Sequence, residues 1–144
     1  MDQFLPMSGD LKRPKLVTDF GGLFKASSEK RVAFHLLNDV FTIEVELSDN
    51  KKMLVLKFDL CIGIYFSTLL GYSPFERQGS QLVANVVPGP GDLIEHFGTD
   101  LQLNSIDRAR VNGTQISPRH FWIYFENTGY CIDILAQDFT HISV

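Results

Sequence analysis

FTIEVELSDNKKMLVLKFDL, residues 41–60, carries the clearest structural signal in the chain. In its first half Ile43, Val45 and Leu47 alternate with Thr42, Glu44 and Glu46, the period of two that a half-buried strand requires. With Asp49–Lys52 as the turn, Leu47 faces Leu54, Val45 faces Leu56 and Ile43 faces Phe58. The same register sets Glu44 opposite Lys57 on the outer face. One arrangement thus satisfies the apolar pairs and a charge pair together, which predicts an antiparallel hairpin. Glu44 and Glu46 share the outer face. Paired carboxylates serve acid–base chemistry or metal binding, but no third ligand lies nearby. A solvated face is the ordinary reading, and for a binding protein both are candidate contact residues.

The flanking segments suggest a mixed architecture. Upstream, SSEKRVAFHLLNDV places Val32, Ala33, Leu36, Leu37 and Val40 at helical spacing behind a capping Ser28, which predicts a helix over 28–40. His35 then reads as a partly exposed helical residue with no second ligand one turn away. Downstream, CIGIYFSTLL leans towards strand through Ile64, Tyr65 and Phe66. GYSPFERQGS reads as a loop and QLVANVV as a strand ended by PGPG. Those glycines do not open a long helix after a strand, so they read as turn chemistry instead of a nucleotide loop. DLIEHF, capped by Asp92 with Glu95 and closed by Gly98, predicts a short helix. LQL and IDRARV lead as strands into Asn112-Gly113, a strong hairpin signal answered by TQIS.

A second hairpin follows in HFWIYFENTGYCIDILAQDF, residues 120–139. Taking Thr128-Gly129 as its turn, Phe125 faces Ile132 and Ile123 faces Ile134, so Phe121, Ile123, Phe125, Ile132 and Ile134 form an inward set. The other face carries His120, Trp122, Tyr124, Glu126, Cys131 and Asp133. In that register Tyr124 meets Asp133, Trp122 meets Leu135 and Glu126 meets Cys131. Trp and Tyr beside acidic groups have the composition of interface anchors. The competing reading is that the 28–40 helix packs on this face and hides Trp122.

These elements give an α+β expectation: a single domain over 19–144 after an N-terminal arm at 1–18. It would be built on one curled, mainly antiparallel sheet of about six to eight strands with one or two helices. A chain of 144 residues is one domain long, and buries roughly two-thirds of its extended surface. Its 44% hydrophobic and 21% charged residues argue against disorder.

Charge is unevenly placed within a formal net charge of −4. Residues 1–57 hold nine basic against eight acidic residues, and residues 58–144 hold four against nine. The acidic second half disfavours phosphate backbones and would steer in a basic protein. MDQFLPMSGDLKRPK lacks the apolar run of a secretory signal, and Lys57 and Asp59 interrupt the most apolar long window. Cys61 and Cys131 do not make a disulfide framework, and two reduced thiols fit a cytoplasmic protein.

The motif search is sparse. His35, His96, His120 and His141 show no metal-ligand spacing, and no cofactor is expected. A Cys131/His120 nucleophile pair is conceivable, but a neighbouring carboxylate would raise the thiol pKa instead of activating it. Arg108 and Arg110 share a strand face and could grip an anion, although exposed charge on a sheet edge explains them as well.

The chain resembles, through the aromatic and acidic strand pair at 120–139, the small immunity proteins encoded beside polymorphic bacterial toxins. That resemblance implies a non-catalytic role: binding a cognate toxin, often a basic nuclease, through an acidic surface. The family supplies no contact residues; the faces of the two hairpins put forward Trp122, Tyr124, Glu126, Asp133, Glu44 and Glu46, the partner expected is a protein, and charge and hydropathy argue against nucleic acid and membrane. The protein would be a monomer or homodimer. The alternative is a small enzyme or ligand-binding protein with a site between sheet and helix, where at least two of His96, His120, Cys131 and the Arg108/Arg110 pair would converge in a deep pocket.

Overall fold

The period-two stretches pair as antiparallel strands, and more of the chain joins them than alternation alone suggests. The structure, a computed structural model, describes residues 15–18, 29–47, 53–68, 91–105, 110–111, 114–115 and 117–143. In chain order the elements are β1 (Lys15–Thr18), β2 (Glu29–Leu37), β3 (Val40–Leu47), β4 (Met53–Thr68) and β5 (Leu93–His96). After them come the helix α1 (Asp100–Asn104), β6 (Arg110–Val111), β7 (Thr114–Gln115), β8 (Arg119–Tyr124) and β9 (Tyr130–Ser143). Seven strands form one sheet in the order β1-β5-β8-β9-β4-β3-β2, and β6 pairs with β7 separately. All the pairings are antiparallel.

The expected mainly antiparallel sheet is present, with seven strands, but α1 is the one helix among the described residues, so the α+β expectation is met only in part. Residues 29–37 form strand β2, not the predicted helix, and pair with β3 from Glu29↔Leu47 to Leu37↔Val40. As a strand the segment turns Val32 and Phe34 onto the core, whereas a helix burying Val32, Ala33 and Leu36 would leave Phe34 on its polar side. The free edge of β3 supplies the ladder, and Asn38-Asp39 makes the tight connection, with Asn38 at φ +56. DLIEHF is likewise strand β5 and not a helix. The helix starts later, where Thr99 and Gln102 make a reciprocal capping box. That helix absorbs LQL, which reads as a strand in the sequence. The Asn112-Gly113 hairpin is borne out by the pairs Arg110↔Gln115 and Val111↔Thr114. Lys15–Thr18 of the proposed arm is an edge strand of the sheet. The proposed loop at 71–80 and strand at 81–87 lie outside the described residues.

Both main hairpins form, and both pair two residues away from the expected register. Ile43 meets Leu56 and Val45 meets Leu54, while Thr42 takes the place opposite Lys57. In the second hairpin Ile123 meets Ile132 and Phe121 meets Ile134; Trp122 meets Asp133 and Tyr124 meets Cys131. Its loop is Glu126–Gly129, closed by Phe125 N–H to the Tyr130 carbonyl and Gly129 N–H to the Phe125 carbonyl, with Gly129 at φ +78. A slip of two leaves every side chain on its own face, so the inward set survives intact: Phe121, Ile123, Phe125, Ile132 and Ile134 all lie in the main core.

β4 pairs with β9 from Leu54↔Ser143 to Thr68↔Tyr130, interrupted by an irregularity between Cys61 and Gly63. Leu60 just before it sits at φ +50, a conformation that reorients the strand. The sheet curls at this point, and its consequence is visible at a distance. Phe34 of edge strand β2 meets Phe66 of β4 and Tyr130 of β9, with ring centroids 5.2 and 5.7 Å apart. Glu29 reaches the β8–β9 loop: its Oε2 accepts from Asn127 N–H at 2.5 Å and Thr128 N–H at 3.0 Å, and Asn127 Nδ2 donates to the Glu29 carbonyl at 2.8 Å. The concave side encloses Phe41, Ile43, Val45, Leu54, Leu56 and Phe58 against the inward set of the second hairpin.

Candidate functional site

The face of β8 and β9 that turns away from the main core carries the chemistry-bearing side chains. Alternation puts His120, Trp122 and Tyr124 of β8 there with Cys131, Asp133 and Leu135 of β9. β5 adds Ile94 opposite Trp122 and His96 opposite His120. Far from being an open surface, this face is largely buried. Trp122 is 3% exposed and packs with Ile94, Cys131 and the half-buried Tyr124, the Trp122 and Tyr124 rings lying 5.3 Å apart. Asp133 is 2% exposed.

At its centre His120 links three elements. Nε2 lies 2.5 Å from Asp133 Oδ1, and Nδ1 lies 2.8 Å from Oγ1 of Thr99. In the tautomer with its proton on Nε2, that N–H donates to Asp133 and Nδ1 accepts from the Thr99 hydroxyl. The same Oγ1 accepts Gln102 N–H at 3.2 Å as the cap of α1, and Gln102 Nε2 donates to the Pro118 carbonyl at 3.0 Å. His96 stands beside His120, ring centroids 5.3 Å apart. A hydroxyl, an imidazole and a carboxylate in series form the sequence of groups that activates a nucleophile. Here all three are withdrawn from solvent, with Thr99 at 5% and His120 at 0% exposure.

The surroundings of both cysteines disfavour the thiolate. Burial and then the Asp133 charge push the Cys131 thiol up to about 11. Cys61 is raised by burial, partly offset by its hydrogen bond to the Gly63 carbonyl. Tyr124 is raised too, by burial and then by Glu126 and Asp92. On the core side Arg119 clamps the buried Glu95 with two hydrogen bonds, of 2.9 and 2.8 Å, and lies 4.8 Å over the Phe121 ring. Among the described residues no group of three or more His, Cys, Asp or Glu side chains is arranged to hold a metal.

The remaining candidates divide between this face and the opposite edge of the sheet. Glu126 is exposed on the β8–β9 loop. Glu44 and Glu46 stand half-buried on the outer face of β3. Glu46 pairs with Arg31 at 3.2 Å and Lys30 at 3.7 Å, and Glu44 with His35 at 3.6 Å. The expected Glu44–Lys57 cross-strand pair does not form, because the register slip moves Lys57 away, and Lys57 pairs with Asp59 at 3.9 Å. A depression of about 380 Å³ opens here, lined by His35, Leu37, Val40, Thr42, Glu44 and Lys57. A second, of about 280 Å³, lies against Leu36, Cys61, Ile62, Gly63 and Ile64. Leu36 and Leu37 are 60% and 74% exposed between them.

Sequence reasoning missed Thr99 as a partner of His120, although Thr-Asp-Leu-Gln at 99–102 spells a capping box. Glu29 carried no such signal. Of the residues proposed to converge, His96 and His120 meet and Cys131 shares their face. Arg110 lies on β6, and Arg108 is outside the described residues. The chain matches no protein-family model, and no curated protein or solved structure matches it. No helix among the described residues is long and apolar enough to cross a membrane.

Proposed function

We propose that this protein acts by binding a protein partner, as an immunity-type inhibitor of a basic effector, and that contact runs through the outer face and edge of β2 and β3. One observation carries the reading: the exposed Leu37 stands beside Glu44 on the rim of the sheet. Exposed apolar side chains next to an acid make a docking surface for a basic partner. Burial moves Trp122 and Asp133 out of the contact set. Glu44 and Glu46 stay in it; Glu126, on the β8–β9 loop, and the half-buried Tyr124 of β8 belong to other elements.

The test is titration with small basic effector domains, nuclease domains first. A 1:1 complex is expected, weakened by salt and roughly tenfold by Glu44→Lys, the effect of about 1.4 kcal/mol. A complex indifferent to Glu44→Lys and Glu46→Lys would place the contact elsewhere.

A second reading, a small enzyme or ligand-binding protein with its site between sheet and helix, draws on the Thr99–His120–Asp133 series beneath the cap of α1. It predicts turnover of an activated ester that His120→Gln abolishes while the fold persists. Turnover unchanged in that variant, or none in the parent, rejects it.

A further inference from the structure

We propose that β2 accepts an additional β-strand along Phe34–Leu37, supplied by a partner segment in which basic and apolar residues alternate. The proposal rests on the binding reading above and adds the mode of contact and the chemistry of the segment.

β2 stands last in the sheet and, among the described residues, pairs on one side only, with β3. Its two halves differ. Lys30 and Arg31 in the first half are exposed charges of the kind that keep a sheet edge from recruiting strands. The last two residues are the exposed Leu36 and Leu37, which, being consecutive on a strand, point to opposite faces.

Both surface depressions lie at this end, one on each face of β2. The outer one is lined by His35, Leu37, Glu44 and Lys57 among others; the other by Leu36, Ile62 and Ile64. A strand laid alongside β2 presents successive side chains to opposite faces, so neighbouring residues fall over the two depressions in turn. Main-chain hydrogen bonds then supply affinity and the depressions supply specificity.

The linings choose the side chains. Leu36, Ile62 and Ile64 suit an apolar residue. On the outer face Glu44 is 42% exposed and its ion-pair neighbour His35 is charged only when protonated, while Lys57 is engaged by Asp59. A lysine or arginine there gives Glu44 a permanent cation. A second copy of the chain is the competing occupant. Antiparallel pairing of β2 centred on His35 sets that histidine against itself and brings no cation to Glu44.

The probe is a short synthetic peptide alternating isoleucine and arginine, with the isoleucine–glutamate peptide and a backbone N-methylated form as controls. Amide exchange at 34–37 is followed by NMR. The isoleucine–arginine peptide is expected to bind and slow exchange at 34–37 about tenfold or more. N-methylation should abolish binding, and Glu44→Gln should weaken it about tenfold. Leu37→Lys, at an exposed position, should also weaken it with the circular dichroism unchanged. No binding, binding that leaves 34–37 exchange unaltered, or tolerance of N-methylation overturns the proposal. Slow exchange at 34–37 without peptide, in a protein that sediments as a dimer, assigns the edge to a second copy and also overturns it. A basic effector that binds in a salt-dependent way without protecting 34–37 refutes strand addition alone. An edge that takes the peptide while no effector binds refutes the inhibitor reading alone.

Discussion

Replacing Glu29 tests whether the curl of the sheet is a latched structure. The side chain is 1% exposed, and its Oε2 receives the N–H groups of Asn127 and Thr128. Glu29→Ala removes two hydrogen bonds to a charged acceptor, each worth about 1.5–3 kcal/mol. The loop residues themselves are exposed, so water can reach the freed N–H groups and the lower end applies. The expected loss is then about 3 kcal/mol. For a chain of this length that is a fall in Tm of about 6–12 °C. Glu29→Gln keeps an acceptor of the same shape without its charge and should cost about 1 kcal/mol. Urea denaturation followed by circular dichroism measures both, with an unchanged slope confirming that the unfolded ensemble is the same. Near-equal stabilities for the parent and Glu29→Ala would refute the latch and, with it, this account of how β2 meets the β8–β9 loop.

Three further outcomes follow from the buried face. Trp122 is the single tryptophan, so native fluorescence should be blue-shifted and resist iodide until the protein unfolds; ready quenching would mean that the indole faces solvent. Cys131, raised to about 11 from 9.0, keeps its proton when folded at a pH where the unfolded chain has released it. Stability is therefore complete below about pH 9 and falls between pH 9 and 11, by up to about 2–3 kcal/mol. Cys131→Ala should flatten that slope, and an unaltered slope would assign the effect to another group. Asp133→Ala should cost about 1–3 kcal/mol by leaving the His120 N–H without its acceptor, and His120→Leu should recover part of it. A coupling energy below about 0.5 kcal/mol in the double-mutant cycle would deny that the two act as a pair.

The expected and observed structures part where several elements meet. Alternation correctly sorted Ile43, Val45 and Leu47 from Glu44 and Glu46, and Phe121, Ile123 and Phe125 from Trp122 and Tyr124. It could not tell Val45↔Leu56 from Val45↔Leu54, since moving a strand by two residues changes no face and costs the apolar pattern nothing. Residues 29–37 satisfy a helical spacing and a strand alternation at once. The waiting edge of β3 decided between them.

Within the two main hairpins the faces of the strands and their core residues were therefore determined by the sequence itself, because they depend on side chains a fixed distance apart along one chain. Register, the strand identity of β2 and the fate of Trp122 needed the tertiary structure. Glu29 reaches the β8–β9 loop only once the sheet has curled. Thr99, His120 and Asp133 meet only when a helix cap and two strands are in place. Contacts between residues distant in sequence depend on how the elements close on one another, and no local period encodes that.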